Sequence, residues 1–122
     1  MTETKDRVVW TEIPVTDMAR AKAFYERLFG TALTEQTVGP DTIQLLPYSD
    51  KRGVSGHLYA GKPAARGTGS TIHLLVPVDL QEAMQRVRDG GGEVVSEVLN
   101  APDGTFFYAH DTEGNSVGFF NS

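Results

Sequence analysis

The sequence contains no cysteine, which excludes disulfide bonds and any metal site built on thiolates. It also has no apolar run of membrane-spanning length, and its N-terminal segment, MTETKDR, is polar. Basic residues are in the minority, with 11 Lys and Arg against 16 Asp and Glu, so the net charge is −5. That balance argues against binding to nucleic acid or to an anionic membrane. We therefore expect a soluble, cytoplasmic protein with no nucleic-acid or membrane partner.

The absence of two sequence motifs also limits the classes of reaction that the protein could catalyse. The sequence has no G-x-S-x-G motif and no phosphate-binding loop. Glycines 90–92 follow a predicted helix rather than precede one, so they stop a helix and do not form a dinucleotide loop. The 122 residues, 39% of them hydrophobic, suffice for one domain with a real core.

Two segments repeat one pattern of polarity. Residues 9–35 and 71–97 each predict a strand, a turn, a helix, a glycine stop and another strand. Setting Asp79 on Asp17 gives an offset of 79 − 17 = 62 positions. A unit that recurs in this way indicates two copies that complete one core together. We predict a single domain, 1–122, with units at about 7–60 and 70–122 joined by a linker at 61–69.

Each unit contains one amphipathic helix. The first helix begins after Thr16 or Asp17, which can accept hydrogen bonds from free N–H groups, and ends at Gly30. The second begins at Asp79 and ends at glycines 90–92. Apolar residues recur at helical spacing in both, which predicts the faces that pack on a sheet: Ala21, Phe24, Tyr25 and Leu28 in the first, and Leu80, Ala83, Met84 and Val87 in the second.

Runs of β-branched, aromatic and alternating residues predict the strands. They are 8–15, 31–38, 42–46 and 54–60 in the first unit, and 71–78, 93–99, 105–109 and 115–120 in the second, with a polar loop at 48–53. Each unit therefore reads strand, helix, strand, strand, strand. The predicted fold class is α+β, with two βαβββ units.

Three motifs carry a resemblance to a known family: DMARAKAFYERLFG at 17–30, VDLQEAMQRVRDGGG at 78–92 and DTEGNSVGF at 111–119. In this order they resemble the vicinal oxygen chelate superfamily, which includes glyoxalases, extradiol dioxygenases, and fosfomycin- and bleomycin-resistance proteins. The resemblance implies a curled mixed sheet around a cavity, and a homodimer. It says little about the reaction, because one fold hosts many chemistries.

The resemblance also implies four positions for ligands of a divalent cation, which in this chain are Trp10, His57, His73 and Gly118. An indole is not a metal ligand and glycine has no side chain, so two of the four are missing. We therefore favour a protein that binds a small molecule in the cavity without a complete metal site, as bleomycin-resistance proteins do. In that case the histidines act as hydrogen-bonding residues.

One alternative keeps a metal. Strand alternation places Glu12 on the same face as Trp10, so Glu12, His57 and His73 could form a two-histidine, one-carboxylate site for Fe, Mn, Ni or Zn. The protein would then be a metal-dependent lyase or dioxygenase of the glyoxalase or extradiol type. A third alternative is an interaction or regulatory domain without turnover. Whether the protein is an enzyme, and with which catalytic residues, stays open.

The candidate cavity residues are Trp10, Glu12, His57, His73 and Phe107. His110 is expected to stabilise the adjacent turn or to face solvent. The aromatic residues of the last two strands are expected mainly in the core, although alternation sends some of them to the cavity face.

Overall fold

Each half of the chain forms one sheet packed against one helix. The computed structural model describes residues 7–48 and 54–121. Its elements, in chain order, are β1 (Thr11–Val15), α1 (Met18–Phe29), β2 (Thr34–Val38), β3 (Asp41–Leu45), β4 (Gly56–Ala60), β5 (Ile72–Leu75), α2 (Leu80–Asp89), β6 (Glu93–Val94), β7 (Leu99–Ala101), β8 (Gly104–His110) and β9 (Ser116–Asn121).

The two sheets share one topology. The first has the strand order β1-β4-β3-β2, with β1 parallel to β4. The second has the order β5-β9-β8-β6, with β5 parallel to β9 and with β7 paired to β8 beside this path. The predicted α+β class with two βαβββ units is confirmed, and the sheets remain open rather than closing into a barrel.

Several predicted strands are shorter than expected. The strands predicted at 8–15, 54–60 and 71–78 are observed as Thr11–Val15, Gly56–Ala60 and Ile72–Leu75. For two others the physical reason can be identified. The backbone N–H of Leu33 donates to the Glu26 carboxylate at 2.9 Å, and pairing in the predicted strand 31–38 begins only at Thr34. The predicted strand 93–99 is divided into β6 and β7. Between them the Ser96 hydroxyl accepts from the backbone N–H of Tyr108 at 2.8 Å, taking the place of a strand carbonyl. The second sheet therefore gains a fifth strand.

Both helices begin and end where the sequence predicts. The Asp17 and Asp79 side chains accept from the backbone N–H groups of Arg20 and Glu82, which caps each helix. Gly30 ends α1 in the left-handed conformation, with φ 69°. At the end of α2, the residue in the left-handed conformation is Gly91.

The core lies between the helices and the inner faces of the two sheets. All eight apolar helix residues predicted above are buried there. Phe107 is also fully buried and packs on Phe119, with ring centroids 5.6 Å apart. This corrects the expectation that Phe107 lines the cavity. Alternation along β8 sends Phe106 and Tyr108 to the opposite face instead.

Residues 49–53 of the predicted loop 48–53 lie outside the described residues. The description of the chain stops at Tyr48 and resumes at Val54. Within 7–48 and 54–121, no helix is long and apolar enough to cross a membrane.

Candidate functional site

The outer face of the first sheet, opposite the core, brings three predicted site residues together. Glu12 and His57 are direct partners in the parallel β1–β4 pair. The Trp10 indole N–H donates to Nδ1 of His57 at 2.9 Å, and Nε2 of His57 lies 3.2 Å from Oε1 of Glu12. Tyr48 packs edge-on against the indole, with ring centroids 5.6 Å apart. The imidazole is therefore held at both of its nitrogens.

On the second sheet, His73 lies over a glycine. His73 and Gly118 are direct partners in the β5–β9 pair, and a Cβ at position 118 would lie 2.6 Å from the His73 ring. The ring packs edge-on against Phe106 and Tyr108, with centroids 5.1 Å and 5.8 Å away. The missing side chain at 118 is therefore what allows the imidazole to take this position.

The two histidines line different pockets. His57 and Glu12 border a pocket of about 330 Å³ that also includes Asp41 and Tyr59. His73 borders a larger pocket of about 500 Å³ lined by both units. The lining of the larger pocket is mostly apolar: Val8, Thr11, Phe29, Leu46, Pro47, Val54, Ser55, Ile72, His73, Leu74 and Leu75. Both volumes are of the size that small organic ligands occupy.

The arrangement does not fit the cation that the fold family implies. In the described residues, no three His, Asp or Glu side chains form a group that could hold a metal ion. Glu12 contacts His57, whereas the neighbours of His73 are Phe106 and Tyr108. The chain therefore does not assemble Glu12, His57 and His73 into one triad.

Sequence reasoning missed the role of Asp111, which it treated as part of a turn. Asp111 is fully buried and accepts from the Tyr25 hydroxyl at 2.6 Å and from the backbone N–H groups of Glu113 and Asn115 at 2.9 Å. Burial and the Asp111 carboxylate raise the pKa of Tyr25 well above its usual value, so the phenol keeps its proton. The position of Tyr25 within a buried helix stripe was the available signal, because a buried hydroxyl needs a partner.

Glu113, in the same turn, caps the first helix from outside the first unit. Its carboxylate accepts from the backbone N–H groups of Thr16 and Asp17 at 2.9 Å and from Nε of Arg20 at 2.8 Å. Burial alone would raise the pKa of Glu113, but the hydrogen bonds from Arg20, Asp17 and Thr112 lower it to about 2. These contacts join the two units, and the residues that make them do not line either of the two pockets described above.

His110 lies in an ion cluster with the linker. Its Nδ1 is 3.2 Å from the Glu93 carboxylate, which also binds Arg66 at 2.9 Å. The hydrogen bonds from Arg66 and His110 lower the pKa of Glu93. His110 therefore holds the linker against the second sheet and borders neither of the two pockets that contain the other histidines.

A family model described as the Glyoxalase/Bleomycin resistance protein/Dioxygenase superfamily matches residues 7–119. The chain belongs to this superfamily. A search of curated proteins gives no match.

Several solved structures share the fold. A glyoxalase-related enzyme from Fulvimarina pelagi is 16% identical, with a TM-score of 0.66 over 97% of this chain and 89% of that one. A glyoxalase/bleomycin resistance protein from Albidiferax ferrireducens T118 is 21% identical, with a TM-score of 0.65 over 93% and 96%. The fosfomycin resistance protein FosX from Listeria monocytogenes is 14% identical, with a TM-score of 0.64 over 100% and 95%. At these identities the likeness concerns the fold alone.

Proposed function

We propose that this protein binds a small organic molecule in the pockets beside His57 and His73, without a complete metal site. One observation carries the proposal: at two of the implied ligand positions the chain has Trp10 and Gly118, which contact the two histidines and cannot be metal ligands. The Trp10 N–H occupies Nδ1 of His57, and the ring of His73 lies over Gly118. Similarity to proteins named for bleomycin and fosfomycin resistance supports a small-molecule ligand, since those names refer to small molecules.

The pocket beside His73 suits an apolar or aromatic ligand. Most of its lining is aliphatic, and Phe29 adds an aromatic surface. Burial of apolar ligand surface there would contribute roughly 25 cal/mol per Å² before the costs of association. The smaller pocket contributes polar groups from Glu12, His57 and Asp41, which can orient a ligand through hydrogen bonds.

The test is a ligand screen with two readouts. The chain has one tryptophan, so its fluorescence reports on Trp10 beside the smaller pocket, while thermal shift reports binding anywhere. We expect some small aromatic compounds to raise the melting temperature. His73→Gln should weaken ligands of the larger pocket and His57→Gln those of the smaller one, whereas the control His110→Gln should leave both unchanged.

Titration with metal ions tests for the result that would contradict the proposal. We expect calorimetric titration with Fe²⁺, Mn²⁺, Ni²⁺ or Zn²⁺ to give no stoichiometric binding tighter than about millimolar. A stoichiometric site with micromolar affinity that depends on His57 and His73 would contradict the proposal. It would favour the metal-dependent lyase or dioxygenase instead.

We also propose that the protein is a homodimer. Val8, Val54 and Leu75 line the larger pocket, yet are 70%, 60% and 66% exposed. A cluster of exposed apolar side chains at one pocket is typical of a surface that a partner covers. A second copy at this rim would close the pocket.

A further inference from the structure

We infer that the Trp10 indole holds His57 in the Nε2–H tautomer, and that this tautomer keeps His57 from binding a metal ion through Nε2. Trp10 is then a positioning residue that acts through His57. The inference concerns the state of one side chain, and it holds whether or not a small molecule occupies the pocket.

The tautomer follows from the hydrogen-bonding capacity of each group. Trp10 can only donate, so Nδ1 of His57, 2.9 Å from the indole nitrogen, must carry the lone pair. A neutral imidazole has one N–H, which is therefore on Nε2. Nε2 lies 3.2 Å from Oε1 of Glu12, an acceptor. The two contacts thus require the same tautomer.

Metal binding requires the opposite arrangement. A histidine that binds a metal through one nitrogen usually donates the N–H of its other nitrogen to a carboxylate or a backbone carbonyl. For Nε2 of His57 to bind a metal, the proton would have to move to Nδ1, where it would point at another N–H. The surroundings of Nδ1 therefore have the wrong polarity for a metal ligand. This obstacle is separate from the number of ligands available.

The same tautomer defines what His57 offers to the pocket. Its Nε2–H is a donor beside the Glu12 carboxylate, and both side chains border the pocket of about 330 Å³. The edge-on contact of Tyr48 with the indole helps to fix the ring plane of Trp10 and with it the direction of the N–H.

Nitrogen NMR of ¹⁵N-labelled protein tests the inference directly. The single tryptophan makes the indole N–H signal unambiguous. We expect a scalar coupling across the N–H···N hydrogen bond between Trp10 and His57, and ¹⁵N shifts that show a protonated Nε2 and an unprotonated Nδ1. A protonated Nδ1 in the neutral ring, or an indole N–H without this coupling, would overturn the inference.

Two variants separate the effect of the indole N–H of Trp10 from the effect of aromatic packing. Trp10→Phe keeps an aromatic ring but loses the N–H, and should shift the tautomer ratio towards Nδ1–H by about two- to tenfold, as for one net hydrogen bond. Tyr48→Phe keeps the edge-on contact and should leave the ratio unchanged. If Trp10→Phe leaves the ratio unchanged in a folded protein, the indole does not control the tautomer.

One equivalent of Zn²⁺ tests the consequence for metals. We expect the Trp10–His57 coupling and the His57 shifts to persist. Loss of the coupling together with loss of the Nε2 proton would show metal bound at His57 and would refute the inference. Zn²⁺ bound elsewhere with the coupling intact would contradict the proposed metal-free function, but it would leave this inference standing.

Discussion

Gly118 and His73 face each other across the β5–β9 pair, and the imidazole fills the space that a side chain at position 118 would need. The resemblance implies a metal-binding carboxylate at position 118. In this chain the glycine at 118 leaves room for a histidine ring instead. The ring in turn completes an aromatic cluster with Phe106 and Tyr108.

We expect Gly118→Ala to displace the His73 ring from this cluster. The added methyl would lie 2.6 Å from the ring, but His73 is exposed and can rotate outwards. The free energy of unfolding should therefore fall by only about 0.5–1.5 kcal/mol, the value of lost aromatic contacts. Chemical denaturation measures the loss, and ring-current shifts report the displacement. In a His73→Ala background the same substitution should cost less, because no ring has to move.

We expect Tyr25→Phe to lower the free energy of unfolding by about 1.5–3 kcal/mol, since the lost hydrogen bond goes to the buried carboxylate of Asp111. Urea denaturation gives the value. Tyr48→Phe is the control, because Tyr48 is half exposed and its hydroxyl can meet solvent. A cost below about 0.5 kcal/mol for Tyr25→Phe, the range of ordinary surface changes, would contradict the role given to this bond.

At the scale of elements, both ends of α1 make hydrogen bonds with the second unit. Glu113 accepts from the N–H groups of Thr16 and Asp17, and Arg86 donates to the carbonyl of Leu28 at 3.2 Å. A carboxylate at the N-terminus and a guanidinium at the C-terminus both match the helix dipole. The first helix is therefore held by the second unit as well as by its own sheet.

We expect the Glu113 contacts to make stability depend on pH at the acid end. The pKa of Glu113 is about 2 in the folded protein, below its ordinary 4.5, so folding favours the ionised form. The contribution, on the order of 3 kcal/mol, is present above pH 4.5 and is lost as the pH falls towards 2. Urea denaturation between pH 7 and pH 2 should show the difference between wild type and Glu113→Gln shrinking with acid. The exposed Glu97→Gln serves as control and should show no such trend.

We expect Arg86→Met to cost about 0.5–1.5 kcal/mol, because the carbonyls at the end of α1 lose a charged donor. Arg88→Met is the matched control, since Arg88 lies on the exposed face of the same helix. Thermal unfolding of the two variants gives the comparison. Equal effects would show that Arg86 contributes only its helix propensity and not the cap.

The sequence predicted what depends on near neighbours. Both helices, with their aspartate caps, could be read from local spacing. The division of the strand at Ser96 could not, because the hydroxyl bonds Tyr108, 12 residues away. Phe107 was assigned to the wrong face because alternation leaves two phases, and only packing on Phe119 selects one. The Trp10–His57 bond joins residues 47 positions apart and depends on the β1–β4 pairing.

At the scale of the whole molecule, the proposed dimer can be tested by substituting one of the exposed apolar residues around the larger pocket. Leu75→Asp places a charge among them and should shift the protein from dimer towards monomer, as measured by sedimentation velocity. Val95→Asp is the control, because Val95 is also exposed, at 45%, but does not border that pocket. A wild-type protein that sediments as a monomer at high concentration would refute the proposed dimer.

The external caps of α1 also bear on how the chain folds as it is synthesised. Residues 7–60 leave the ribosome before Arg86 and Glu113 do. The N–H groups of Thr16 and Asp17, just before the nascent first helix, and the carbonyl of Leu28 near its end therefore lack these partners at first. Tyr25 likewise waits for Asp111, which is 86 residues further on. The leading half of the polypeptide therefore becomes fully native only after Asp111 and Glu113 have emerged, even though all the strands of its own sheet have emerged earlier.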